Sequence, residues 1–156
     1  MDFKLLVLDV DGTLTDGKIY ISDCGEIMKA FNIKDGYMLS RLRDYGIEPV
    51  IITGRTSEIV KRRCEELDIK ILYQGVEDKV SCLKDICAKM HITSNQCAYI
   101  GDDLNDLDCM ELCGHKAAPA DAIKVVKDKV DYICTARGGE GAVREYCDYL
   151  IDKFIK

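Results

Sequence analysis

The chain has 156 residues, 47% of them hydrophobic and 32% charged, an ordinary globular balance with enough length for one domain and a sizeable core. Its net charge of −6 and pI near 5.0 argue against nucleic-acid binding through a basic surface, though not against a small anionic substrate. No apolar stretch is long enough to span a bilayer, and nine cysteines without a CxxC pair argue against a zinc ribbon or a thioredoxin-type motif.

The first apolar run, Leu5 to Leu8, reads as a strand buried on both faces. It is short and ends at Asp9 and Asp11, so no secretory leader is expected, and the cysteines point to a reducing cytoplasm. Alternating apolar residues between Lys18 and Ile33 flank Ser22-Asp23-Cys24-Gly25 and predict a β-hairpin. Asp35 is placed to cap a helix that runs through Met38, Leu39 and Leu42 to a stop at Gly46.

Ile47 to Thr53 is a second buried strand. Ser57 opens a helix with Ile59, Val60, Cys64 and Leu67 on its apolar face. A third strand, Ile69 to Tyr73, leads to a helix over Lys79 to Met90. Cys97 to Ile100 is a fourth strand, followed by Gly101-Asp102-Asp103 and a helix ending near Gly114. Cys109 and Cys113, four apart on that helix, read as small buried hydrophobes. Val130 to Cys134 is a short fifth strand. Residues Gly138 to Gly141 form a flexible link to a last helix, Val143 to Phe154. Strands alternating with helices predict a doubly wound α/β fold with a parallel sheet and right-handed crossovers, in a single domain spanning 1–156.

Four polar clusters fall at the carboxyl ends of predicted strands: Asp9 with Asp11, Thr53-Gly54-Arg55, Lys79 after Gln74-Gly75, and Asp102-Asp103. Open α/β sheets bind ligands at those ends. Asp9 and Asp11 crowded there repel each other unless a cation neutralises them, and oxygen-only ligands favour a hard ion such as magnesium. Thr53 offers a hydroxyl and Gly54 an uncluttered backbone N–H to a phosphoryl oxygen, or the pair simply ends the strand in a turn. Lys79 supplies a fixed positive charge, or is a solvated first-turn residue. Asp102 is a candidate magnesium ligand, with Asp103 a second ligand or an outer partner. Asp106 either orients Lys79 or stabilises a helix N-terminus.

The string DVDGTLTDG from Asp9, followed in order by the other clusters, resembles the four motifs of the haloacid dehalogenase superfamily of phosphatases over nearly the whole chain. The resemblance implies that Asp9 is the nucleophile and that Asp11 protonates the leaving alkoxide and later activates water; a purely metal-ligating Asp11 is the other reading. It implies a magnesium ion held by the Asp9 and Asp102 carboxylates and the Asp11 backbone carbonyl. Members usually carry a cap domain, but here neither the hairpin nor the stretch from Thr53 to Lys79 has room for one. A large substrate or a neighbouring subunit then covers the site.

The capless pattern narrows the resemblance to sugar-acid phosphatases acting on 3-deoxy-D-manno-octulosonate 8-phosphate. It rests on GxIYxSxxGExxKxFNxxDG from Gly17, TGR at Thr53, YQGxxxK ending at Lys79, AYIGDDLND from Ala98, PADA from Pro119 and GGxGAVRE from Gly138. That family implies a homotetramer in which hairpins pack together and the glycine-rich tail reaches an adjacent active site, so that deleting from Gly138 should lower turnover without unfolding the domain. A substrate with a carboxylate calls for cations: Arg55 first, Arg137 and Arg144 more weakly because tail arginines more often pair with helix carboxylates, and Lys34 as a further residue at the entrance. Met38 and Leu39 are larger than the family's usual residues after DGY, which bears on the entrance. Phosphatases of nine-carbon sugar acid 9-phosphates are similar, and Arg55 favours the eight-carbon substrate. A non-catalytic assembly module related to sialic acid activating enzymes is a rival that the presence of Asp9, Asp11, Lys79 and Asp102 disfavours. A phosphate-accepting signalling domain would lack DxDGT, and a phosphosugar mutase would need a cap.

Overall fold

The computed structural model describes residues 2–155. The chain opens with β1 (Leu5–Leu8), then the hairpin strands β2 (Tyr20–Ser22) and β3 (Gly25–Met28), then α1 (Ile33–Leu39). A 3-10 turn over Leu42–Tyr45 leads into β4 (Glu48–Ile52), α2 (Glu58–Glu66), β5 (Ile71–Tyr73) and α3 (Lys79–Met90). The second half carries β6 (Cys97–Ile100), α4 (Leu104–Met110), β7 (His115–Ala118), α5 (Lys124–Lys127), β8 (Tyr132–Ile133) and α6 (Ala142–Leu150), with a π-helical turn over Ile151–Ile155.

Six strands form one parallel sheet in the order β5-β4-β1-β6-β7-β8. The period-two alternation of β1 divides the core: Leu6 and Leu8 face one layer, Leu5 and Val7 the other. The first layer receives Val60 and Cys64 of α2, Leu39 of α1 and Val143, Tyr146 and Leu150 of α6. The second receives Leu83 and Ile86 of α3, Leu107 and Met110 of α4 and Val126 of α5. This is the doubly wound architecture the strand–helix alternation predicts. Chain order reverses at β1, whose neighbours are β4 and β6, so the crevice for a ligand opens at the carboxyl ends of β1 and β6. No cap domain is present among the described residues: the hairpin is the only insertion after β1, and α2 with β5 fills the span from Thr53 to Lys79. No helix among them is long and apolar enough to cross a membrane. All nine cysteines are free, and Cys109 and Cys113 lie in the core.

The sheet has one strand more than the sequence predicts. β7 is short, with Lys116 breaking its apolar run, and it follows Gly114 so closely that it reads as part of a loop. Asp35 is not the cap of α1. Asn32 takes that place, accepting the Lys34 N–H at 2.8 Å. Asp35 is buried and caps a different helix: its Oδ1 accepts the Arg144 N–H at 2.8 Å, in the first turn of α6, where Gly141 offers no side chain. Met38 and Leu39 are buried in the core, so they do not shape an entrance.

The tail also differs from the expected separable cover. Gly138 and Gly139 are pressed against the loop after β1: the Gly139 N–H donates to the Thr13 carbonyl at 3.2 Å, and a Cβ on Gly138 would overlap the Gly12 carbonyl oxygen. These glycines serve close approach rather than flexibility. α6 itself is core, with Val143, Tyr146, Cys147 and Leu150 fully buried, and Tyr146 hydroxyl meets His115 Nδ1 at 2.8 Å. Deletion from Gly138 therefore removes part of the folded domain.

Candidate active site

The site is built where β1 and β6 end. Asp9 follows β1 directly, buried at 5% exposure, and Lys79 at the start of α3 reaches it from beneath, Nζ to Oδ1 2.9 Å. The same ammonium donates to Asp106 Oδ1 at 2.8 Å, and Tyr99 hydroxyl on β6 donates to that oxygen too, also at 2.8 Å. Asp106 Oδ2 accepts the backbone N–H groups of Asp102 at 3.0 Å and Asp103 at 3.3 Å. Asp106 thus does two jobs at once: it aims Lys79 at Asp9 and ties down the loop that carries Asp102. Asp103 is the N-cap of α4, its Oδ1 accepting the Leu104 N–H at 2.7 Å.

Asp102 is positioned from the β1 side. Thr13 Oγ1 donates to its Oδ1 at 2.9 Å, and a Cβ on Gly12, whose φ is +90°, would overlap its carboxylate. Only glycine lets the two loops meet here.

Ligand oxygens of Asp9, Asp102 and Asp106 lie within 4.8 Å of one another. Asp106 has both oxygens committed to protein donors, which leaves Asp9 and Asp102 as the pair to share an ion. The electrostatics agree with that assignment. Burial first, then repulsion from Asp106, pushes Asp9 up to about 6 against the pull of Lys79. Burial and the Asp9 charge push Asp102 up to about 7, with the Thr13 hydrogen bond opposing. One lysine does not balance this much buried negative charge, and hard carboxylate donors suit a divalent cation such as magnesium. Burial acts to lower the Lys79 ammonium, but Asp106 and Asp9 together raise it, so it stays charged.

A pocket above these groups is lined by Asp9, Asp11, Thr53, Gly54, Arg55, Asp103 and Asn105. It therefore gathers the ends of β1, β4 and β6. Arg55 Nε stands 4.0 Å from Asp11 Oδ2. The remaining cations expected from the sequence lie elsewhere. Lys34 is on the exposed first turn of α1. Arg137 Nε faces Asp121 at 3.6 Å. Arg144 pairs with Asp148 at 2.8 Å and packs over the Tyr37 ring. The chain's own fold does not bring these three to the pocket.

Sequence reasoning passed over four contributors: Thr13, Tyr99, Asn105 and the hairpin lysine Lys29, whose Nζ donates to Asp11 Oδ1 at 2.5 Å. Lys29 and Glu26 stand in the GExxK portion of the hairpin string, which was the available signal. Tyr99 and Asn105 stand in the AYIGDDLND string in the same way, but a tyrosine within a buried strand reads as packing.

This arrangement, an aspartate pair at one strand end facing a third across the switch point with a lysine beneath, defines an acid-rich phosphoryl-transfer type of site. Residues 71–145 match the family model for haloacid dehalogenase-like hydrolases. The chain is 45% identical over 150 residues to the 3-deoxy-D-manno-octulosonate 8-phosphate phosphatase of Escherichia coli K12, covering 96% of this chain and 80% of the relative. It superposes with a TM-score of 0.93 and 41% identity on the Moraxella catarrhalis enzyme of that name solved with magnesium, phosphate and 3-deoxy-D-manno-octulosonate, covering 97% and 87% of the two chains. The cobalt-bound Haemophilus influenzae phosphatase also gives 0.93, at 38% identity, covering 97% and 88%. The chain belongs to the haloacid dehalogenase-like hydrolases and, within them, to the family of 3-deoxy-D-manno-octulosonate 8-phosphate phosphatases.

Proposed function

We propose that this chain hydrolyses 3-deoxy-D-manno-octulosonate 8-phosphate with magnesium, through a phosphoryl group carried on Asp9. The observation that carries the reading is the shared reach of the Asp9 and Asp102 carboxylates beside a pocket that also holds Asp11, Thr53 and Gly54. The Moraxella catarrhalis relative, crystallised with magnesium, phosphate and the sugar acid, supports the same substrate class.

Asp9 and Asp102, with the Asp11 carbonyl, would hold the ion. When bound, magnesium neutralises the facing carboxylates and the phosphoryl oxygens. The residues do the rest. A carboxylate oxygen of Asp9 attacks phosphorus as the bond to the sugar oxygen breaks, and Asp11 gives its proton to that leaving oxygen. Thr53 and the Gly54 N–H receive phosphoryl oxygens, and Lys79 keeps Asp9 oriented and charged. Asp11, now ionised, takes a proton from water, which attacks phosphorus and returns Asp9 with release of phosphate. Arg55 meets the substrate carboxylate. The hairpin exposes Ile21 and Ile27 at 66% and 59%, an apolar surface that fits packing against other copies in a homotetramer.

A kinetic panel of eight- and nine-carbon sugar acid phosphates with magnesium tests the reading, with mass by light scattering on the same sample. The expected result is preference for the eight-carbon ester, loss of turnover in Asp9→Asn, and a four-chain mass. Hydrolysis of neither class favours the assembly-module alternative instead.

A further inference from the structure

Lys29 leaves the base of the hairpin and turns inward, and its side chain is only 2% exposed. A buried ammonium is costly unless paired, and this one has two partners. Its Nζ lies 2.5 Å from Asp11 Oδ1 and 2.9 Å from Glu26 Oε1. Glu26 in turn accepts from the Ser57 hydroxyl through its other oxygen. Ser57 is the N-cap of α2, and its backbone N–H is held by Gln74 Oε1 at 2.9 Å. A continuous polar chain therefore runs from the ends of β4 and β5, through the hairpin, to one oxygen of Asp11. With its side chain almost wholly covered and its Nζ against Asp11 Oδ1, Lys29 stands behind Asp11, which itself lines the pocket.

We propose that Lys29 is a positioning residue that fixes the Asp11 carboxyl for proton delivery to the leaving oxygen, with Glu26 and Ser57 bracing Lys29 from behind. This rests on the role given to Asp11 above. With Oδ1 tied to Lys29, rotation of the Asp11 side chain is stopped and Oδ2 is turned toward the Arg55 side of the pocket, the 4.0 Å neighbour. The hairpin is otherwise largely exposed, so this chain of contacts also explains how an exposed flap keeps a fixed relation to the site.

The test compares kcat/KM, which reports steps through the first phosphoryl transfer, for two esters at saturating magnesium. The sugar-acid phosphate needs a proton on its alkoxide; 4-nitrophenyl phosphate releases a phenolate that needs none. In Lys29→Met the alkyl ester should lose on the order of 10²-fold, the aryl ester less than about threefold. Lys29→Arg should recover part of the alkyl loss. Glu26→Gln, which leaves the buried lysine and the Ser57 contact in place, should lose roughly tenfold on the alkyl ester alone and carries the test should Lys29→Met fail to fold. Equal losses on both esters, or no loss on either, overturn the proposal. A wild-type enzyme inactive on both esters overturns the phosphatase reading, and this proposal with it.

Discussion

At the scale of single residues, the buried Asp9 and Asp35 and the half-buried Asp102 act together on the pH behaviour of the metal-free chain, against the smaller opposite effect of His115, whose burial holds its imidazole below the usual range. Burial, then like-charge neighbours, raises Asp9 to about 6 and Asp102 to about 7; burial also raises Asp35 to about 6. A group with a folded pKa above its unfolded value near 3.8 holds its proton in the native state while the unfolded chain has lost it. Stability from this source is therefore greatest below about pH 4 and is lost as pH climbs toward 6 to 7. The chelated protein should lose on the order of a few kcal/mol across that window, and magnesium should restore more of it at pH 8 than at pH 5, because protons compete for Asp9 and Asp102. Urea melts at several pH values with and without magnesium measure both effects. A metal-free chain that gains stability between pH 4 and 7, or magnesium stabilisation independent of pH, contradicts the assignment. Asp35 separates the two contributions, since Asp35→Asn should flatten part of the slope without touching the magnesium response.

At the scale of elements, α6 tells most about the tail. Its apolar face supplies Val143, Tyr146, Cys147 and Leu150 to the layer over Leu6 and Leu8, and its N-terminus is capped from α1 by Asp35. Leu150→Ala should cost about 2–5 kcal/mol, read from denaturant midpoints, and truncation before Gly138 should leave a chain without a cooperative transition. A truncated chain that still melts cooperatively would show that α6 is dispensable after all. The sequence made the buried strands legible because Leu5 to Leu8, Val50 to Ile52 and Cys97 to Ile100 are unbroken apolar runs at the centre of the sheet. It hid β7, where the polar residues His115 and Lys116 interrupt the pattern at a strand nearer the edge. Asp35 was misplaced for a different reason: a side chain that caps a helix more than a hundred residues away leaves the same local signature as one that caps its own.

At the scale of the whole molecule, topology gathers the chemistry. β1 sits between β4 and β6, so residues 9, 53 and 102 meet although they are far apart in the chain. The acid and lysine positions were readable because they follow strands in a fixed order. Their supports were not. Thr13, Tyr99 and Lys29 act through partners that only folding supplies, as Thr13 does with Asp102, 89 residues away. The cations Arg137 and Arg144 are the weaker substrate candidates because tail arginines more often pair with carboxylates, and within this chain they face Asp121 and Asp148.

The proposed chemistry depends on one ion being shared across the switch point. Crystals grown with manganese in place of magnesium, measured for anomalous scattering, locate it directly. The predicted result is a single strong peak within coordination distance of both the Asp9 and Asp102 carboxylates, absent in Asp102→Asn. A peak that touches only one of the two, or none between them, contradicts it.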